Sequence, residues 1–421
     1  MMRTAPSIPG IMQNEQTLLD IYRVLDLADE KGVYCGKLLA DYGADVIKIE
    51  PPQGDIIRSR GPFFHDEVHP EKSLYWLHFN TNKRSITLNL EHELGRNIFK
   101  RLVKTADVLI ETFPPGYMKN LGLDYEALKG INPGLVICSI APFGQSGPRR
   151  DWKSDDLVNS AISGLAHFVG EPDGPPVPYG AEQSYHSASL YAFTGILFAL
   201  YHRDLTSGFG QYIDISLQEA YAPLFNAGVG GVIQAWTLIG DEGIRSGNRP
   251  GRAFPYGGFL AKDGWVLICC VDPGQWDALA QWIANVTGDK EILDDMYKGR
   301  MWERGPYLDI LTRIVDDFTS QFTMGELMVN GQKRGVPIYA VTTVKELVDC
   351  PQLAHFNFFS EVNRPLVGGL KYPGVPALLP DTPGRVRVPA PLLGQHNEEI
   401  YCEELGYSND HLSLLRSDGI I

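Results

Sequence analysis

The stretch IYRVLDLADEKGVYCGKLLADYGADVIKIEPP, residues 21–52, decides the fold. IYRVLDLA (21–28) is an apolar run of strand length, Gly32 to Tyr42 has helical composition, and ADVIKIE (44–50) reads as a second strand closed by Pro51-Pro52. The same unit recurs downstream. RSITLNL (84–90) is followed by a helical LGRNIFKRLVKTA (94–106), then DVLIETF (107–113) and LVICSIAPFG (135–144). Strands alternating with helices of about ten residues predict a parallel sheet, and strands apolar almost throughout predict one covered on both faces. The class is therefore α/β.

Beyond this core, ASLYAFTGILFALYHR (188–203) reads as a strongly apolar helix, and YIDISLQEAYAPLF (212–225) as a strand running into another. Between about 225 and 256 the chain becomes glycine-rich, which predicts loop and a boundary. A second unit follows, with strand GWVLICCV, helix QWDALAQWIANVT and helix YLDILTRIVDDFTS, and a strand–helix pattern returns in GVPIYAVTTVKELVDC. The proline-rich PGVPALLPDTPGRV (373–386) predicts extended chain laid over a surface.

Composition excludes several functions. The chain has 421 residues, long enough to bury a large core without disulfides or structural metal. Lys and Arg number 37 against 51 Asp and Glu, a net charge of −14, which argues against nucleic acid or an anionic membrane as partner but allows a small polyanion in a local basic pocket. The six cysteines form no CxxC, and Cys269-Cys270 are strand neighbours pointing to opposite faces, so reduced thiols in the cytoplasm are expected. No run of about 18 apolar residues or signal-peptide core is present, no Cys/His cluster has metal-ligand spacing, and no GxGxxG follows the first strand.

Eight segments in order carry a resemblance: LLADYGADVIKIEPPQGD (38–55), NKRSITLNL (82–90), ADVLIETFPPGYMKNLGL (106–123), INPGLVICSIAPFGQSGP (131–148), AISGL (161–165), GILFALYHRDLTSGFGQYIDISLQEA (195–220), RGVPIYAVTTVKELVD (334–349) and PAPLLGQHNEEI (389–400). Together they resemble the class III CoA-transferases, the formyl-CoA and carnitine CoA-transferase group. The resemblance implies a large Rossmann-like domain from both chain ends (1–222 and 332–421), with 223–331 as linker and small inserted domain. It also implies an interlocked dimer, each active site lying between the large domain of one chain and the small domain of the other.

In that family one aspartate attacks the acyl-CoA carbonyl, forming a mixed anhydride and then an aspartyl-CoA thioester. A carboxylate suits this because it is charged at neutral pH and its anhydride is as activated as the thioester it replaces. The family places the aspartate five residues after one glycine and ten before another. Counting from Gly180 and from Gly195 both reach Tyr185. A phenol with an ordinary pKa of ~10 is a poor substitute. Glu182, three residues earlier, is a weaker candidate nucleophile, and His186 reads as structural.

The CoA-binding positions are altered too. The neutral loop usual after the first strand is Asp29-Glu30-Lys31-Gly32-Val33, the usual basic residue after VIKIE is Pro51, and the usual Asn before Phe113 is Thr112. The usual Arg before the Gly-Leu pair is Asn120. Lys83, Arg84, Phe113, Met118 and Lys153 survive as a degenerate CoA site, with Lys83 and Arg84 expected to meet phosphate oxygens. A racemase on the same fold would need a His–Asp pair, but those positions hold Asp155 and Tyr185.

The resemblance thus implies one subunit of a heteromeric CoA-transferase, partnered by a paralogous chain that carries the aspartate. Its small domain, with a Gly257-Gly258 turn after Pro255-Tyr256, would complete the partner's site. Coenzyme A thioester is then a substrate that this subunit need not bind itself, and no covalent cofactor is implied. Within the family, the succinyl-CoA:(R)-benzylsuccinate CoA-transferases of anaerobic toluene degradation have two subunits, and this chain resembles the non-nucleophilic one. The alternatives are a homomeric enzyme using Glu182, a non-enzymatic scaffold, and a CoA-thioester isomerase or lyase lacking an evident acid–base pair.

Overall fold

The structure is a computed structural model that describes residues 17–228, 231–249 and 253–421, with side chains omitted at 225–228. Its first unit is built on a sheet of six parallel strands in the order β3-β2-β1-β4-β5-β6: β1 Arg23–Leu27, β2 Asp45–Glu50, β3 Arg84–Thr87, β4 Val108–Glu111, β5 Val136–Ala141 and β6 Tyr212–Ser216. The chain winds outward from β1 to β3, then crosses back to β4. The loops after β1 and β4 therefore splay apart at the carboxyl edge, where doubly wound sheets place their ligand crevice.

Alternation along each strand sends neighbouring side chains to opposite faces, so two cores form. Val24, Val46, Val108, Ile110, Val136 and Cys138 pack under helices α1 (Val33–Asp41) and a long helix Gln183–His202. Leu25, Ile47, Ile49, Ile86, Leu109 and Ile137 pack under α3 (Glu93–Val103) and the C-terminal segment with Ile400 and Tyr401. Helix α2 is Leu74–Phe79, between β2 and β3. After β4 come α4 (Tyr117–Asn120), α5 (Tyr125–Lys129) and α6 (Asp156–Ile162), so the long helix is α7 and Leu217–Gly228 is α8.

Contacts group residues 1–165, 179–231 and 351–421 into this unit, and 166–178 with 232–350 into the second. The second unit has an antiparallel sheet of β7 (Tyr256–Leu260), β8 (Trp265–Cys269) and β9 (Ile338–Ala340). Its helices include α9 (Val232–Ile239), α10 (Pro273–Thr287), α11 (Leu308–Thr319) and α12 (Met324–Lys333). Its own core gathers Phe259, Val266, Ile268, Trp276, Trp282, Leu311 and Phe318.

Two local readings change. The glycine-rich span contains a helix, α9, because VIQAWTLI is a glycine-free, mostly apolar stretch of eight residues. Gly257 and Gly258 lie inside β7 rather than in a turn. Gly257 has φ +149°, and a Cβ there would approach the Asn248 carbonyl oxygen to 2.4 Å, so its glycine serves a close strand approach. The proline-rich tail does run over the large unit: Asn82 donates to the Arg385 carbonyl, and its own carbonyl accepts the Arg387 and Val388 N–H groups. Among the described residues no helix is long and apolar enough to cross a membrane, and no group of three or more His, Cys, Asp or Glu side chains is placed to hold a metal.

Candidate functional site

A cavity of about 590 Å³ opens in the large unit beside the start of α7, the loop after β1 and the loop after β2. Tyr185, in the first turn of α7, lines it and is only 6% exposed. Burial pushes its phenol well above the ordinary tyrosine value, the charge of Glu30 adds to this, and a backbone hydrogen bond with Asp156 opposes it. The phenol therefore stays protonated at neutral pH, the reverse of what a nucleophile at this place needs.

Glu182 lines the same cavity and caps α7 from an αL conformation, φ +54°, directly after Ala181 at φ +64°. Two consecutive non-glycine residues in this region cost energy that the surroundings must offset. The turn delivers the Glu182 carboxylate to Arg60, with which it forms a close ion pair, and to the Tyr75 hydroxyl, which donates to its other oxygen at 2.9 Å. The Arg60 guanidinium in turn lies over the Tyr75 ring, 4.3 Å from its centroid.

The other acids of the cavity are partly committed to local structure. Asp155 caps α6 by accepting the Val158 N–H at 2.9 Å, and Asp156 accepts both the N–H and the hydroxyl of Ser184. The racemase histidine position is thus a helix cap. His186, next to Tyr185, faces a separate cavity of about 410 Å³ with His78, Tyr34 and Phe79. Burial lowers both imidazoles, His78 to about 4, so they are neutral there.

At the crevice between β1 and β4, two of the altered positions hold each other. The Thr112 hydroxyl accepts the Asp29 N–H at 2.9 Å and donates to the Asp29 carboxylate at 2.8 Å. Asp29 also pairs with Lys31, so its charge is answered within the loop. A Cβ on Gly32 would come within 2.8 Å of the Thr112 methyl group, so only glycine lets the loop sit this close. Glu30 turns instead toward the cavity that holds Tyr185.

The five residues expected at CoA are not gathered into one cavity. Lys83, expected to meet phosphate, is buried: its ammonium donates to Asp26 at 2.8 Å, Asn80 at 3.0 Å and the Val33 carbonyl at 3.2 Å. Arg84 is also buried, bidentate on Asp45 at 2.9 and 2.6 Å and paired with Glu399 and Glu404. Both cations spend their donors inside the fold. Phe113 stacks on Tyr117 with centroids 4.4 Å apart, and Met118 lines a cavity of about 310 Å³ with Lys119, Arg150, Tyr212 and Glu111. Lys153 is exposed in the coil before α6.

Sequence reading missed Arg60, Tyr75 and Glu111. Arg60 and Tyr75 meet Glu182 across 122 and 107 residues, and no local pattern announces that. Glu111 ends an apolar strand, which was the available signal for a buried acid. Burial pushes its carboxyl up to about 7, against hydrogen bonds from the Ser139 hydroxyl and the Phe113 N–H.

A six-stranded sheet in this order, with a cavity at the head of α7, defines a doubly wound enzyme scaffold. A family model for CoA-transferase family III matches residues 19–397. The chain is 34% identical over 406 residues to succinyl-CoA–D-citramalate CoA-transferase of Chloroflexus aurantiacus, spanning 96% of this chain and 98% of that one. It is 33% identical over 392 residues to subunit BbsE of the succinyl-CoA:(R)-benzylsuccinate CoA-transferase of Thauera aromatica, spanning 91% and 93%. A CaiB/BaiF family protein from Brucella suis superposes with a TM-score of 0.80 at 32% identity, over 92% of this chain and all of that one. The chain belongs to CoA-transferase family III.

Proposed function

We propose that this chain is the nucleophile-lacking subunit of a heteromeric, cytoplasmic CoA-transferase. The complete enzyme moves CoA from an acyl-CoA such as succinyl-CoA to a carboxylic acid such as benzylsuccinate. The observation that carries the reading is Tyr185: a buried, protonated phenol lines the cavity at the position that the family resemblance gives to the aspartate. The aspartate and a working CoA site then belong to a paralogous partner, and the small domain of this chain, 223–331 by the sequence reading, completes that site in an interlocked dimer.

Three further observations support it. The three Lys83 donors are all taken inside the fold, Arg84 is buried and paired with three carboxylates, and the Thr112–Asp29 pair bridges the crevice. One face of α7 leaves Tyr191, Phe198 and Tyr201 exposed, continued by Leu205, at steps of seven, three and four residues that keep them on one stripe. A partner chain would cover it. A relative named as a subunit of a benzylsuccinate CoA-transferase aligns over nine-tenths of the chain.

The test is co-expression with a paralogue bearing Asp at the position equivalent to Tyr185, followed by trapping of the acyl-enzyme with hydroxylamine or borohydride. Adducts are expected on the partner alone; an adduct on this chain overturns the reading. The second reading, Glu182 as nucleophile, is favoured by its place in the cavity. It requires turnover by the purified single chain that Glu182→Gln abolishes. A scaffold role requires the partner to be equally active alone.

A further inference from the structure

The cavity beside Tyr185 contains a finished receptor for a carboxylate, and a carboxylate of the same chain already fills it. Glu182 receives a guanidinium from Arg60 on one oxygen and a phenol hydroxyl from Tyr75 on the other. Charge-assisted pairing of this kind is how proteins bind free carboxylic acids. Arg60 and Tyr75 are also fixed relative to each other by the stacking of guanidinium on ring. The stacking thus adds to the ion pair in holding the two donors side by side.

Two features separate this arrangement from an ordinary surface ion pair. The backbone takes up two successive αL conformations at Ala181 and Glu182 to bring the carboxylate in. Among the described residues lining the cavity, Arg60 is also the one cation, facing Glu30, Asp155 and Asp156 as well as Glu182. With Glu182 on Arg60, a second carboxylate entering the cavity meets Glu30, Asp155 and Asp156 with no unpaired cation among the described lining residues to offset them.

We propose that Glu182 is a built-in substitute for the carboxylate of a substrate acid, that it closes this chain's own cavity to free mono- and dicarboxylic acids, and that Arg60 with Tyr75 is the acid-binding subsite it masks. This rests on the reading of the chain as a non-nucleophilic subunit, because a carboxylate held on both oxygens is occupied as a ligand. It is nonetheless tested by binding alone, without turnover.

The full chain, free and in complex with its partner, is titrated calorimetrically with succinate. Glu182→Gln keeps the shape and removes the charge, and should bind succinate at least tenfold more tightly than the wild-type chain. Adding Arg60→Gln should remove that gain. As a second measurement, acetate should raise the melting temperature of Glu182→Ala and leave that of the wild type unchanged, because a small acid can then fill the vacated place. No tightening in Glu182→Gln, or a gain that survives Arg60→Gln, overturns the proposal. An acyl-enzyme adduct on Glu182 would instead overturn the subunit reading, so the two failures are distinguishable.

Discussion

Asp26, at the end of β1, and Glu111, at the end of β4, are buried carboxylates with opposite surroundings. On the β1–β2–β3 side the acids are answered by cations. Asp26 meets Lys83 at 2.8 Å and has Lys48 at 3.9 Å, Glu50 is clasped by Arg58 at 2.6 and 2.9 Å, and Asp45 by Arg84. Burial alone would raise the Asp26 carboxyl, but the two ammoniums outweigh it and hold it below the usual range. On the β4–β5–β6 side Glu111 is just as enclosed, yet it is met by a hydroxyl and a backbone N–H, and burial wins. The lesson is that burial does not fix the state of an acid: the charge count around it does. Basic residues that look available in the sequence are consumed around β1 to β3, and at β4 Arg203 pairs with Asp107 while Glu111 is left to neutral donors.

The largest effect should come from breaking the matched side. Lys83→Met leaves Asp26 buried with its nearest cation gone and should destabilise the chain by about 3–5 kcal/mol, read as a lower denaturant midpoint. An unchanged midpoint would mean that Lys83 is not structural and is free for a ligand.

Next is the unmatched side. The Glu111 carboxyl rises from 4.5 to about 7 on folding, so the unfolded chain loses its proton first as pH rises. Stability from this group is present below about 4.5 and is lost as pH climbs through about 7. Glu111→Gln should remove that slope, matching the wild type near pH 4 and exceeding it above pH 7 by up to ~3 kcal/mol. Denaturant titrations across this range check it; parallel pH profiles for the two proteins would refute it.

The smallest expected effect sharpens the same contrast. Tyr185→Asp should yield no measurable CoA transfer by the single chain. The new carboxylate would join Glu30, Asp155 and Asp156 around a cavity whose one described lining cation is already paired. Robust turnover in a CoA-exchange assay would show that the altered CoA positions matter less than the missing acid.

Much of the fold was legible because strands buried on two faces are apolar throughout: β1, β2, β4 and β5 fall inside the runs read from sequence. Helix α9 was hidden by the glycines that flank it. Two glycine spacings singled out Tyr185, which the structure places on the wall of the cavity. The fate of Lys83 was not, because its partner Asp26 lies 57 residues away and a basic pair at a strand start looks the same whether it faces solvent or core. Sequence shows which groups are present; which of them neutralise one another is decided by packing.

The Thr112–Asp29 pair carries a consequence for the loop after β1. Both positions are ones that the sequence reading set apart from the family's pattern, and each residue is the other's hydrogen-bond partner. Thr112→Asn would still offer an acceptor to the Asp29 N–H and a donor to its carboxylate, whereas losing the Asp29 carboxylate would leave the Thr112 hydroxyl only its backbone bond. The carboxylate is therefore the member of the pair that the loop would miss more.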